Sequence, residues 1–140
     1  MFISDFFYEK IQGGAESNDD VLISFLKNKG HNVQKIQSHL FEKYVKTADI
    51  NNELFIVSNF CNLSTTSKNF LKSGANYAIY EHDHKYLQSR NPAKYKNFIA
   101  PKNQLQNVEF YVRANRVFCQ SSFHLNILKK NLGNEVKAYN

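Results

Sequence analysis

The stretch "YEHDHKY", residues 80–86, sets His82 and His84 either side of Asp83, with Glu81 before them and Lys85 after. A neutral histidine titrates near pH 6.5, so it can donate to a hydroxyl or take its proton. A neighbouring carboxylate can orient the imidazole or touch the same substrate. The competing structural reading is that such a histidine caps backbone groups at a strand end. A metal reading also exists. His82 and His84, two apart, share a face of an extended chain, and Glu81 or Asp83 would add an oxygen ligand. No further His/Asp cluster completes such a set, so no metal is expected.

A second feature is the pair Gly13–Gly14, two of only five glycines in the chain. Glycine allows close approach of backbone to a ligand and tolerates positive φ. A helix N-terminus adds free N–H groups for an anion. The pair is read as a cradle for a phosphate or sugar hydroxyl, or as a tight turn needed only for packing. The acids that follow, Glu16, Asp19 and Asp20, argue against a densely charged phosphate and favour a single phosphate or a neutral sugar. Neither GxGxxG nor a GKS/GKT phosphate loop is present, so a nicotinamide cofactor or P-loop chemistry has little support.

The chain that must position these groups has 140 residues, enough for one domain with a real core. It is 42% hydrophobic and 14% aromatic, which sets disorder aside. No apolar run of about 20 residues predicts a membrane span, and "MFISDFFYEK" reads as a first strand rather than a signal peptide. A cytoplasmic location is the resulting expectation; peripheral membrane contact stays open. The net charge of +6 comes from scattered lysines without basic runs, so no nucleic-acid partner is expected. Cys61 and Cys119 stand far apart without a CxxC pattern, and are read as buried free thiols.

Apolar runs predict strands over 1–7, 31–37, 53–60, 77–82, 116–121 and 135–139. Helical spacing predicts helices over 15–29, 66–75, 103–114 and 122–133, with a brief helical or irregular piece over 40–45. Residues 83–102 read as a long polar loop holding both prolines. Alternation of strands and helices predicts an α/β domain with a mostly parallel sheet of about six strands, the first strand central, and helices on both faces. Ligands bind such sheets at the carboxyl ends of the strands. The loops after residues 7, 58, 82 and 121 are therefore the ones to watch. They contribute Asn59 and Ser121 as binding candidates. Lys85, Arg90, Lys94, Lys96 and Lys102 make the long loop suited to an anionic acceptor.

"GGAE" opening a helix, then "FLKNKGHNV", resembles the N-terminal domain of GT-B retaining glycosyltransferases of the large group 1/4 type. The residues that carry the resemblance are Gly13, Gly14, Ala15 and Glu16, then Gly30, His31 and Val33. "ANRVFCQSSFHLNILKK" resembles a later segment of that family, where a strand ends in serine and a helix follows. The resemblance implies a Rossmann-like domain over 1–140, one half of a GT-B fold. It implies transfer of a sugar from a nucleotide-sugar donor to a glycan or other hydroxyl acceptor, with retention and without a cofactor beyond that co-substrate. His82 and Asp83 match the family's pair that touches acceptor or reacting sugar, and are the implied catalytic residues, with His82 positioning and stabilising charge. Gly13, Gly14, Ala15, Glu16, Asn59, His84, Lys85, Arg90 and Ser121 are the substrate-binding candidates. The donor's nucleotide belongs to a C-terminal domain with paired glutamates, absent from this chain and expected in cis or in trans, so the chain alone is expected to be inactive. A non-catalytic α/β binding module, or one subunit of a split enzyme, is the alternative.

Overall fold

The computed structural model describes residues 1–47 and 52–140. Its six strands are β1 (Phe2–Ser4), β2 (Lys35–Gln37), β3 (Leu54–Val57), β4 (Asn76–Glu81), β5 (Arg116–Cys119) and β6 (Ala138–Tyr139), in the sheet order β2-β1-β3-β4-β5-β6. The sheet is parallel, with registers such as Ile3↔Ile36, Ile3↔Val57 and Tyr80↔Phe118. The helices are α1 (Gly14–Asn28), α2 (Phe41–Val45), α3 (Thr65–Lys72), α4 (Val108–Arg113) and α5 (Ser122–Leu132). This is the expected α/β class. β1 is interior, between β2 and β3, but only one strand in from the β2 edge.

The chain divides into two compact units, Met1–Tyr77 and Ala78–Asn140. In the first, Phe2, Ile3, Phe55 and Val57 are fully buried, as parallel strands require when covered on both faces. Phe41 of α2 meets Phe55 and Phe70 edge-on at 5.7 and 6.0 Å, closing that core with aromatic rings. Helix α1 ends where Gly30 adopts φ +86, with His31 N–H donating to the Leu26 carbonyl and Gly30 N–H to that of Lys27. These two bonds satisfy carbonyls the helix end would leave orphaned.

In the second unit Val117, Ile127, Leu128 and Leu132 form the core between β5 and α5. The loop 83–102 is more ordered than its composition suggests. It contains short 3-10 turns at Pro92–Lys94 and Lys96–Phe98. Asn131 of α5 ties it down, accepting from Ala100 N–H at 2.9 Å and donating to the Phe98 carbonyl at 2.8 Å.

The helix expected over 103–114 is shorter, because Asn107 takes a left-handed φ of 54 just before α4. Residues 104–106 instead run beside 86–88, with Gln106 N–H on the Tyr86 carbonyl at 2.8 Å and Gln88 N–H on that of Gln104 at 3.0 Å. The expected strands all form; five are trimmed, and β4 keeps its length one residue earlier than expected. The first, read over 1–7, pairs only through Ser4 before the chain turns. Cys119 is buried, but Cys61 is exposed, in the turn after β3.

Candidate functional site

In the first unit the residues beyond the carboxyl ends of β1 and β3 are held by two buried carboxylates. Asp19, projecting from α1, accepts the hydroxyl of Ser4 at 3.0 Å and that of Ser58 at 2.6 Å. Asp5 accepts the backbone N–H groups of Cys61 and Asn62 at 2.8 and 3.0 Å. Asn59 sits in this frame with its carbonyl accepting from Asp5 N–H at 2.7 Å and Ser38 hydroxyl at 3.1 Å. The backbone of Asn59 is thus committed to structure, whatever its side chain meets. Asp19 was weighed in the sequence as an acid beside a phosphate site; it is a buried hydrogen-bond acceptor instead.

Gly13 is the cap residue before α1 and Gly14 its first residue. Neither uses positive φ; Gly13 has φ −92. The two glycines differ in their surroundings. A Cβ on Gly13 would lie 2.3 Å from Oε2 of Glu16, which folds back over it. A Cβ on Gly14 would meet nothing within 4 Å. Gly14 therefore borders open space at the N-terminus of a 15-residue helix, beside the half-buried Ala15, while Glu16, 7% exposed, packs against Gly13.

In the second unit, the segment after β4 is built around Glu81, which is fully buried. Its Oε1 accepts from Asp83 N–H at 2.9 Å and lies 3.4 Å from the Lys85 ammonium; its Oε2 accepts the Tyr111 hydroxyl. Burial alone would raise the Glu81 carboxyl above its ordinary range. The Lys85 charge, the Tyr111 hydroxyl and the Asp83 N–H outweigh it and hold the group below. Burial first, then the Glu81 charge, pushes the Tyr111 phenol well up, so it stays a donor.

Lys85 is 1% exposed and also reaches Oδ1 of Asp83 at 2.5 Å, while Arg90 takes Oδ2 at 3.1 Å. This corrects the expectation for Lys85: its ammonium is spent inside the protein and is not offered to an anionic acceptor. Arg90 remains exposed. Asp83 is clamped between the two cations, which suits an orienting role more than free contact with substrate.

His82 is half-buried, with its ring edge-on to Tyr80 at 4.7 Å. His84, at positive φ, has Nδ1 2.7 Å from the Tyr86 hydroxyl and its ring 4.1 Å from that of His124. Burial, then the neighbouring His124, lowers His84 to about 4; burial lowers His124 as well. Both imidazoles are neutral at pH 7. Ser121 caps α5, accepting the His124 N–H at 3.2 Å.

Glu81, Tyr86, Tyr111 and His124 complete this cluster. Glu81 had a signal in the sequence through its place in "EHDH". Tyr111 and His124 had none, being 30 and 43 residues further along and brought in by α4 and α5. Perturbed, buried ionisable groups at a strand's carboxyl end mark a candidate functional site. Among the described residues no group of three or more His, Cys, Asp or Glu is placed to hold a metal ion, and no helix is long and apolar enough to cross a membrane. A cavity of about 400 Å³ opens elsewhere in the first unit, at the amino ends of β1 and β3, lined by Phe2, Leu26, His31, Val33, Leu54 and Ile56. It lies at the other end of those strands from the glycine loop. No protein-family model, curated protein or solved structure matches this chain.

Proposed function

We propose that this chain is the acceptor-side, N-terminal domain of a retaining glycosyltransferase of GT-B type. In this reading it works with a donor-binding domain supplied in cis or in trans. The observation that carries the reading is positional. Two of the segments that bear the family resemblance fall where an open parallel sheet binds ligands: Gly13–Glu16 follow β1 and open α1, and His82–Asp83 directly follow β4.

Gly14 leaves room for a sugar or phosphate beside the first turn of α1. His82, half-buried just after β4, positions the reacting sugar or acceptor and stabilises charge that develops on it. Asp83, held by Lys85 and Arg90, fixes the turn that presents His82. Donor phosphate receives the acceptor's proton, so no enzyme base is required.

One observation favours the second reading, a non-catalytic α/β binding module: the Glu81–Lys85–Tyr111 network would lock this turn equally well in a protein that performs no transfer. The experiment that separates the two is transfer of labelled sugar from UDP- or GDP-sugars by residues 1–140 together with a donor-binding domain. Transfer that requires His82 supports the enzyme. Absence of transfer with every such donor, in a folded complex, supports the module.

A further inference from the structure

The first turn of α5 faces solvent through Ser121, Ser122 and Phe123, all exposed. The N–H groups of Ser122 and Phe123 have no intrahelical acceptor, as in any first helical turn. The positive end of an 11-residue helix dipole lies here. Its third residue, His124, is 7% exposed, yet its Nε2 has no hydrogen-bond partner among the described residues. A buried polar atom left unpartnered is costly, so this one marks a place where a ligand atom belongs.

The neighbouring ring supplies a matching donor. The Tyr86 hydroxyl is buried and lies 2.7 Å from Nδ1 of His84. A buried O–H must donate, so Nδ1 accepts and the His84 proton sits on Nε2. The half-buried His84 ring then offers an N–H beside His124, 4.1 Å away between centroids. No free carboxylate repels an anion here. Glu81 is held by Lys85 and Tyr111, and Asp83 by Lys85 and Arg90.

We propose that the first turn of α5, together with His84 and His124, is a binding site for a single phosphate group. The N–H groups of Ser122 and Phe123 and the Ser121 hydroxyl hold the oxygens from the helix side. His84 Nε2–H donates from the other, and His124 Nε2 is satisfied on taking up a proton. The groups facing the two imidazoles are Glu81, Asp83 and Lys85, with His82 also facing His124. Once Arg90, which pairs with Asp83, is counted with them, their formal charges cancel, so an incoming phosphate dominates the local field and raises both imidazoles. Binding therefore strengthens as pH falls from 8 towards 6. If the domain serves the acceptor side of a transferase, the phosphate belongs to a phosphorylated acceptor; the site itself does not rest on that reading.

The test is a titration of residues 1–140 with inorganic phosphate, followed through the histidine ring resonances by NMR. The expected result is saturable shifts of His84 and His124, tighter at pH 6 than at pH 8, with His31 and His39 unmoved. Glucose 6-phosphate should saturate the same resonances more tightly than UDP does. UDP binding there tenfold more tightly than glucose 6-phosphate would overturn the acceptor assignment. His124→Gln should weaken phosphate at least tenfold. Should that variant fail to fold, the wild-type titration still decides: equal, non-saturating drift of all five histidines overturns the site. The readout is binding, so its failure and a failed transfer assay are separate results.

Discussion

The imidazoles of His84 and His124 lie 4.1 Å apart, although 40 residues separate them in the chain. Burial lowers both, His84 to about 4, from an ordinary value of 6.5. The unfolded chain therefore binds more protons than the native one between pH 6.5 and about 4. The stability these groups confer is complete above pH 6.5 and is lost as pH falls through that window. The urea midpoint should drop between pH 7.5 and pH 5, and His84→Gln/His124→Gln should flatten the drop. A midpoint independent of pH across this range would contradict the burial of the pair.

The Glu81–Lys85 pair makes a sharper prediction, because one partner cannot be removed without stranding the other. Glu81→Gln leaves the Lys85 ammonium buried, with Asp83 as its remaining counter-ion, and should cost about 3–5 kcal/mol. Tyr111→Phe removes one donor from Glu81 and should cost about 1–3 kcal/mol. The double variant Glu81→Leu/Lys85→Met should be more stable than Glu81→Gln. Denaturant unfolding of the variants checks the order; a double variant less stable than Glu81→Gln would contradict it.

The parallel sheet was legible because its strands are short apolar runs separated by helical spacing and glycine stops, such as Gly30 and Gly133. The carboxyl-end placement of Gly13–Gly14 and His82–Asp83 followed from that alternation. Other features were set by contacts between distant segments. Lys85 looks like one more cation in a basic loop, until Gln106 and Asn107 donate to its carbonyl and Tyr111 closes on the Glu81 carboxylate it pairs with. The helix read over 103–114 has adequate local spacing, but pairing of 104–106 with 86–88 and the left-handed Asn107 override it. Asp19 looks like a helix-start acid until Ser4 and Ser58 converge on it.

That convergence is itself testable. Asp19→Ala strips the acceptor from two buried hydroxyls, and should cost about 2–6 kcal/mol, at about 1–3 kcal/mol per stranded group where water does not enter. Ser58→Ala removes one donor only and should cost less. Equal thermal midpoints for the two variants would show that Asp19 does not tie α1 to the strand ends.

The glycine pair should respond asymmetrically. Gly14→Ala adds a Cβ into open space at a helical residue, and should stabilise by up to about 1 kcal/mol. Gly13→Ala must displace the Glu16 carboxylate and should not stabilise. In the proposed transferase, with its donor-binding domain supplied, Gly14→Val should fold normally yet lower turnover by more than about threefold if this backbone approaches ligand. Turnover within threefold of wild type would assign the pair to packing alone.

The measurement that tests the proposed function most directly is the turnover of His82→Ala in the proposed transferase, chain and donor-binding domain together, at saturating donor and acceptor. His82 directly follows β4, at the carboxyl end of the strand, and is half-buried with its ring edge-on to Tyr80. Loss of one charge-stabilising donor typically lowers rate by about 10²–10³, and the effect should fall on kcat more than on KM. His84→Ala should lose less, since His84 lies outside the matched pair. A His82→Ala enzyme that folds normally and keeps near-full turnover would contradict the assignment and leave the "EHDH" turn as a structural cap on the long loop.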